Sequence, residues 1–124
     1  MPETLGIGVD LCAVSRIERA IQKAHFLNRV FTEAERAYLQ GRGRGAGESA
    51  AAMFAAKEAV AKALGTGFAG FGFADIEILP EENGRPTARL TGGALDALPQ
   101  SARIHVSISH DGGLALAFAV IESA

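Results

Sequence analysis

The chain has 124 residues, of which 48% are hydrophobic and 21% charged, and its formal net charge is −2. Those values suit one compact domain over residues 1–124, argue against disorder, and lack the basic excess of a general nucleic-acid binder. The one cysteine, Cys12, excludes an intrachain disulfide, and with neither a signal-peptide pattern nor an apolar run of membrane-spanning length the expectation is a soluble cytoplasmic protein.

Residues 5–10, LGIGVD, predict a short buried strand that ends in an acid. Residues 14–24 have helical periodicity: Val14, Ile17 and Ile21 share one face, and Arg16, Arg19 and Lys23 the other. Thr32 with Glu35 forms a capping-box pattern that starts a helix over 32–40. The glycine-rich, basic stretch 41–47, GRGRGAG, predicts a mobile loop. Residues 48–64 are dominated by alanine and stopped by Gly65, so they predict a long helix. After the loop TGFAGFGF, residues 75–79 alternate like a strand, Glu82-Asn83-Gly84 signals a turn, and 86–90 supply the return strand. Residues 104–109 alternate again. The unbroken apolar run 114–121 reads as a central strand buried on both faces. This order predicts an α+β domain with helices packed on a mainly antiparallel sheet.

The long helix carries three charges in an apolar background: Lys57, Glu58 and Lys62. Glu58 and Lys62 are four apart and share a face. That pattern fits first a solvated ion pair, and second a carboxylate and an ammonium held on a rigid element for a metal–phosphate site. Asp10, where the chain leaves its strand, is either a cap or turn acid or a second oxygen ligand for a hard cation such as Mg²⁺.

Four segments occur in one order: GIGVD at 6–10, FAAKEAVAKALGTG at 54–67, NGRP at 83–86 and HVSISH at 105–110. Together they resemble the motifs of holo-acyl-carrier-protein synthases, within the 4′-phosphopantetheinyl transferase superfamily. The resemblance covers nearly the whole chain. It implies the phosphopantetheinyl transferase fold and transfer of the 4′-phosphopantetheine arm of coenzyme A to a serine of an acyl carrier protein. It implies Asp10 and Glu58 as Mg²⁺ ligands and as catalytic residues with Lys62. Lys62 would pair with phosphate, and Lys57 would add charge nearby. Glu58, directly or through a water, is the family's usual base, and the water route is favoured because a metal-ligating carboxylate is a poor base.

The same resemblance implies coenzyme A contacts at Gly65, Thr66 and Gly67, where Gly65 also reads as a helix cap. It implies nucleotide contacts at Asn83, Gly84, Arg85 and Pro86, which also read as a plain hairpin turn. His105, Ser107 and Ser109 share one strand face. With His110 they are either surface or the lining of a phosphate site. The basic residues Arg16, Arg19 and Lys23, extended by Phe26 and Arg29, are a solvated helix face or a dock for an acidic carrier protein. Cys12 reads as a packed small residue. Met53 stands where the family often has an arginine, so a phosphate contact from there is either lost or moved, to Arg42 or Arg44. Family members of this size are trimers with sites between subunits. Two other readings stand beside the transferase: a non-catalytic carrier-binding module, and a Mg²⁺-dependent pyrophosphatase acting on coenzyme A.

Overall fold

Alanine has the highest helix propensity and the least bulk of any side chain with a Cβ, and both properties shape this fold. The computed structural model describes all 124 residues. In chain order these form β1 (Thr4–Ala13), α1 (Val14–Ala20), α2 (Ala24–Val30), α3 (Glu33–Gln40), α4 (Ala46–Ala63), β2 (Ile76–Pro80), β3 (Pro86–Leu90), α5 (Gly92–Ala97), β4 (Arg103–Asp111) and β5 (Leu114–Glu122). Short 3₁₀ turns at Gly43–Gly45 and Phe73–Asp75 precede α4 and β2. One antiparallel sheet has the order β1-β5-β4, and β2 and β3 form a separate hairpin.

α4 lies across one face of the three-stranded sheet, touching all its strands. Its Ala51, Ala55, Ala59 and Ala63 are buried, as are Ala115, Ala117 and Ala119 on β5. Small residues on both sides bring the helix close to the sheet. The approach is closest at β1, where a Cβ on Gly8 would fall 1.9 Å from the carbonyl oxygen of Ala59. Only glycine fits there.

That contact overturns the expectation of a buried β1 and sets which of its faces points inward. Gly8 and Cys12 face inward, while Leu5, Ile7, Val9 and Leu11 are exposed. The strand is thus longer than predicted, and its large apolar side chains lie outside the core of the single chain. β5 is central, as predicted, but is buried on one face only. Its alanines point to α4 while Leu114, Leu116 and Phe118 are 43%, 41% and 44% exposed. The register aligns Leu11 with Leu116 and Val9 with Phe118, so β1 and β5 share one apolar outer face.

Three local expectations also change. The 14–24 helix is broken, because Lys23 adopts an extended conformation. The bend lets Ile17 on α1 and Val30 on α2 both reach the core. Residues 43–47 are not an irregular loop; they form a 3₁₀ turn and the first residues of α4. α5, opened by two glycines, carries no periodic signal and was not anticipated.

Lys57 departs furthest from its expected role. It is fully buried and pairs with Glu35 at 2.8 Å. Its ammonium also donates to the backbone carbonyls of Phe73, at 3.0 Å, and Ile76. Burial pushes its pKa down, and Glu35 opposes that shift. It therefore has no free charge for a substrate phosphate. Glu35 also closes the predicted capping box by accepting from Thr32 N, and it accepts from Ile78 N on β2 at 2.7 Å. Lys57→Met strands a buried carboxylate and should cost about 3–5 kcal/mol, read as a lowered chemical-denaturation midpoint. Adding Glu35→Gln to that variant should recover part of the loss.

Candidate active site

Asp10 and Glu58 come from elements that meet at backbone contact. Asp10 lies on the α4-facing side of β1, two residues beyond Gly8. Glu58 precedes Ala59, whose carbonyl oxygen abuts Gly8. The tight packing of strand and helix therefore brings the two acids to one place. Lys62, one turn further along α4, donates to the Val9 carbonyl at 2.9 Å and reaches Asp10 Oδ1 at 3.3 Å. The i,i+4 ion pair between Glu58 and Lys62 is thus replaced by a pair across the packing interface. The Lys62 side chain is about half exposed, 52%, and Asp10 is 18% exposed.

The electrostatics follow from that placement. Partial burial raises the Glu58 pKa above the ordinary carboxylate value, and the neighbouring Asp10 charge raises it further. Lys62 and Arg16 pull it back in part. Arg16 lies over the Phe54 ring, 5.4 Å from its centroid, which holds the guanidinium beside the acids. Cys12 is buried, its thiol donates to the Ala51 carbonyl at 3.3 Å, and burial pushes its pKa up, as befits a packed residue.

The other expected site residues fall into three groups. Gly65, Thr66 and Gly67 directly follow Lys62 at the end of α4, and Gly65 and Gly67 have φ of +83° and +58°. Gly84, Pro86 and His110 line a second region, a cleft of about 280 Å³ shared with Tyr38, Ser49, Met53 and Ile78. Asn83 Oδ1 accepts from Arg85 N and holds that turn, while the Arg85 side chain is exposed beside Glu81, at 4.0 Å. His110 pairs with Glu48 at 3.4 Å.

His105, Ser107 and Ser109 form the third group and do not join Asp10 within one chain. Their register partners on β5 are Val120, Phe118 and Leu116, so they lie on the outer face of the sheet, opposite α4. His105 bonds Glu122 at 2.8 Å there. Among the basic residues, Arg16 and Arg19 belong to α1, but the break places Lys23 at the start of α2 instead. Phe26 and Arg29 line a shallow groove with His25, Val30, Phe54 and Phe73. Sequence reasoning missed Tyr38, Ser49 and His25 because each is ordinary in its local pattern.

Residues 6–119 match the model of the 4′-phosphopantetheinyl transferase superfamily. The chain belongs to that superfamily. It is 48% identical over 121 residues to a holo-(acyl-carrier-protein) synthase of Clostridium beijerinckii, covering 96% of this chain and 98% of the relative. A synthase of the same name from Methylobacterium radiotolerans is 46% identical over 128 residues, covering 96% of this chain and 93% of that one. Among solved structures, the Bacillus anthracis synthase in complex with CoA (3′,5′-ADP) superposes with a TM-score of 0.83 at 36% identity, covering 98% of each chain. The Helicobacter pylori synthase in complex with coenzyme A gives a TM-score of 0.78 at 32% identity, covering 93% of this chain and 98% of that one.

The superfamily fold thus sets two like charges together at Asp10 and Glu58. Because the folded-state pKa of Glu58 is raised, its contribution to stability is full below the ordinary carboxylate pKa. It is lost as pH rises through the raised value. Replacing Asp10 by Asn should lower the Glu58 pKa, yet leave it above the ordinary value because burial is the larger cause. A carboxyl-carbon NMR titration of both proteins measures this, and an unchanged Glu58 midpoint would contradict the assignment.

Proposed function

We propose that this chain transfers the 4′-phosphopantetheine arm of coenzyme A to a serine of an apo acyl carrier protein, releasing adenosine 3′,5′-bisphosphate. The observation that carries the proposal is the convergence of Asp10, Glu58 and Lys62 across the β1–α4 contact. The serine oxygen bonds to the phosphorus next to the pantetheine arm, its proton leaves through a water beside Glu58, and the bond between that phosphorus and the bridging pyrophosphate oxygen breaks. Negative charge gathers on the leaving group. Lys62, half exposed and already turned toward the acids, is placed to donate to it.

The donor set fits Mg²⁺. Burial and the neighbouring Asp10 raise the cost of ionising Glu58 here, and a hard cation relieves it while leaving coordination positions for phosphate and water. When bound, that ion neutralises charge on the pyrophosphate oxygens. Asp10 and Glu58 would hold it, with Glu58 as a ligand first. Gly65 and Gly67, without side chains, give the arm of coenzyme A close access to the backbone beyond Lys62. Arg16, Arg19 and Arg29 offer positive charge to an acidic carrier, and the Phe26–Phe54–Phe73 groove offers apolar surface beside it.

The outer sheet face supports assembly. A monomer rarely exposes so continuous an apolar surface as Ile7, Val9, Leu11, Leu114, Leu116 and Phe118 provide. We read it as the contact of a homotrimer. His105, Ser107 and Ser109 border this face, so they would serve a neighbour's site. Phe118→Glu should dissociate the assembly by sedimentation and lower activity together with it. A variant that stays assembled would refute the role of this face.

The reaction itself is tested by incubating the protein with coenzyme A, Mg²⁺ and an apo carrier and weighing the carrier. A mass gain of one phosphopantetheine arm supports transfer. No gain with intact coenzyme A indicates a binding module, and cleavage without modification indicates a pyrophosphatase. Glu58→Ala should reduce transfer at least about a hundredfold, as expected when a charge-stabilising group is removed, while the assembly stays intact.

A further inference from the structure

α4 ends at Ala63, one residue beyond Lys62, and the chain crosses to β2 through a segment that carries Phe68, Phe71 and Phe73. The start of this segment is tied to the helix, since the Gly65 and Gly67 amides donate to the carbonyls of Lys62 and Ala61 at 2.9 and 3.2 Å. From Phe68 to Phe71 the main chain makes no hydrogen bond outside the segment. Packing holds it instead. The Gly70 carbonyl lies too close to Gly93 of α5 for any Cβ there, and the Phe68 ring centre is 4.1 Å from that of Phe73.

Phe73 has a second partner. Its ring stacks on Phe54 with centres 5.2 Å and planes 18° apart, and Phe54 in turn meets Phe26 at 6.1 Å. Phe26, Phe54 and Phe73 are walls of the groove read above as apolar surface for the carrier, whereas Phe68 is not. The Phe73 main chain is also fixed, because its carbonyl accepts from the buried Lys57 ammonium at 3.0 Å. The ring is then free only to turn about its own side-chain bonds. One ring on an anchored backbone is thus shared by the groove and by the segment that follows Lys62.

An apolar carrier side chain seated in the groove would touch Phe73 in the rotamer that also meets Phe68. A contact that selects this rotamer for one partner selects it for the other. A Cβ on Gly65 or Gly67 would meet nothing within 4 Å, so that stretch is open to the arm of coenzyme A. We propose that Phe68 is a positioning residue: through Phe73 it ties the Gly65–Gly67 stretch to the carrier groove, so that a docked carrier tightens the binding of coenzyme A. This rests on the transfer reading above.

The test is calorimetric binding of coenzyme A with Mg²⁺, alone and with a saturating carrier protein whose acceptor serine is replaced by alanine so that no transfer occurs. In the wild type the carrier should tighten coenzyme A by about twofold to tenfold, the range that one aromatic contact supplies. Coenzyme A should tighten the carrier by the same factor. Phe68→Ala should abolish both effects, and Phe68→Tyr, which keeps the ring, should retain them. Carrier affinity in the absence of coenzyme A should be the same in the wild type and Phe68→Ala, because Phe68 is not a wall of the groove. A loss there would make Phe68 a mere prop of the groove and overturns the proposal. Independent binding of the two substrates in the wild type, or coupling that survives Phe68→Ala, also overturns it, and the transfer reading stands so long as an unaltered apo carrier still gains the phosphopantetheine arm. An unaltered carrier that gains no arm from the wild type overturns both.

Discussion

The buried ion pair between Glu35 and Lys57 ties together more of this chain than any other polar contact. Glu35 caps its own helix, accepts from the Ile78 amide, and faces Lys57. Lys57 in turn donates to carbonyls at Phe73 and Ile76. Two charges with no exposure are tolerable only when every donor and acceptor around them is answered. Here they are, and no buried side-chain polar atom lacks a partner. The result is a fixed relation between α3, α4 and the β2–β3 hairpin. One face of the cleft comes from each of those elements, so the shape of the cleft depends on this pair.

The neighbouring residue on α4 shows how one turn of a helix can divide structural and chemical work. Lys57 points into the protein and holds the layers together. Glu58 points toward β1 and stays partly exposed. Lys62 follows Glu58 on the same side. Two adjacent charged residues thus have opposite fates because 100° of helical rotation separates them.

The resemblance and the chemistry of Asp10, Glu58 and Lys62 made the candidate site legible in the sequence, because those residues sit in short motifs with an unusual background. Lys57 was not legible, since its partner lies on another helix and nothing local distinguishes a buried lysine from a solvated one. β2 and β4 were found by alternation and β1 and β5 by their apolar residues, but neither pattern says which face is the core. In β1 the answer lay in Gly6 and Gly8, whose inward side is read from contact with α4 rather than from hydrophobicity. The apolar run of β5 was misread for the same reason: Ala115, Ala117, Ala119 and Ile121 fill the inner face, and Leu114, Leu116 and Phe118 face out. α5 was invisible because six residues opened by glycines have no period to detect. The break after α1 follows from tertiary packing, and no glycine or proline announces it.

The frame that separates Asp10 from Glu58 is made of Gly8 and Ala59, and neither has a side-chain torsion. In most proteins two functional groups on different elements are spaced by long interlocking side chains, each able to hop between rotamers. Here the spacing passes from one main chain to another. Thermal jitter of the intervening atoms has almost no rotameric component, so any variation in the distance between the two acids must arise from their own side chains. The two acids are carried on a frame that does not bend.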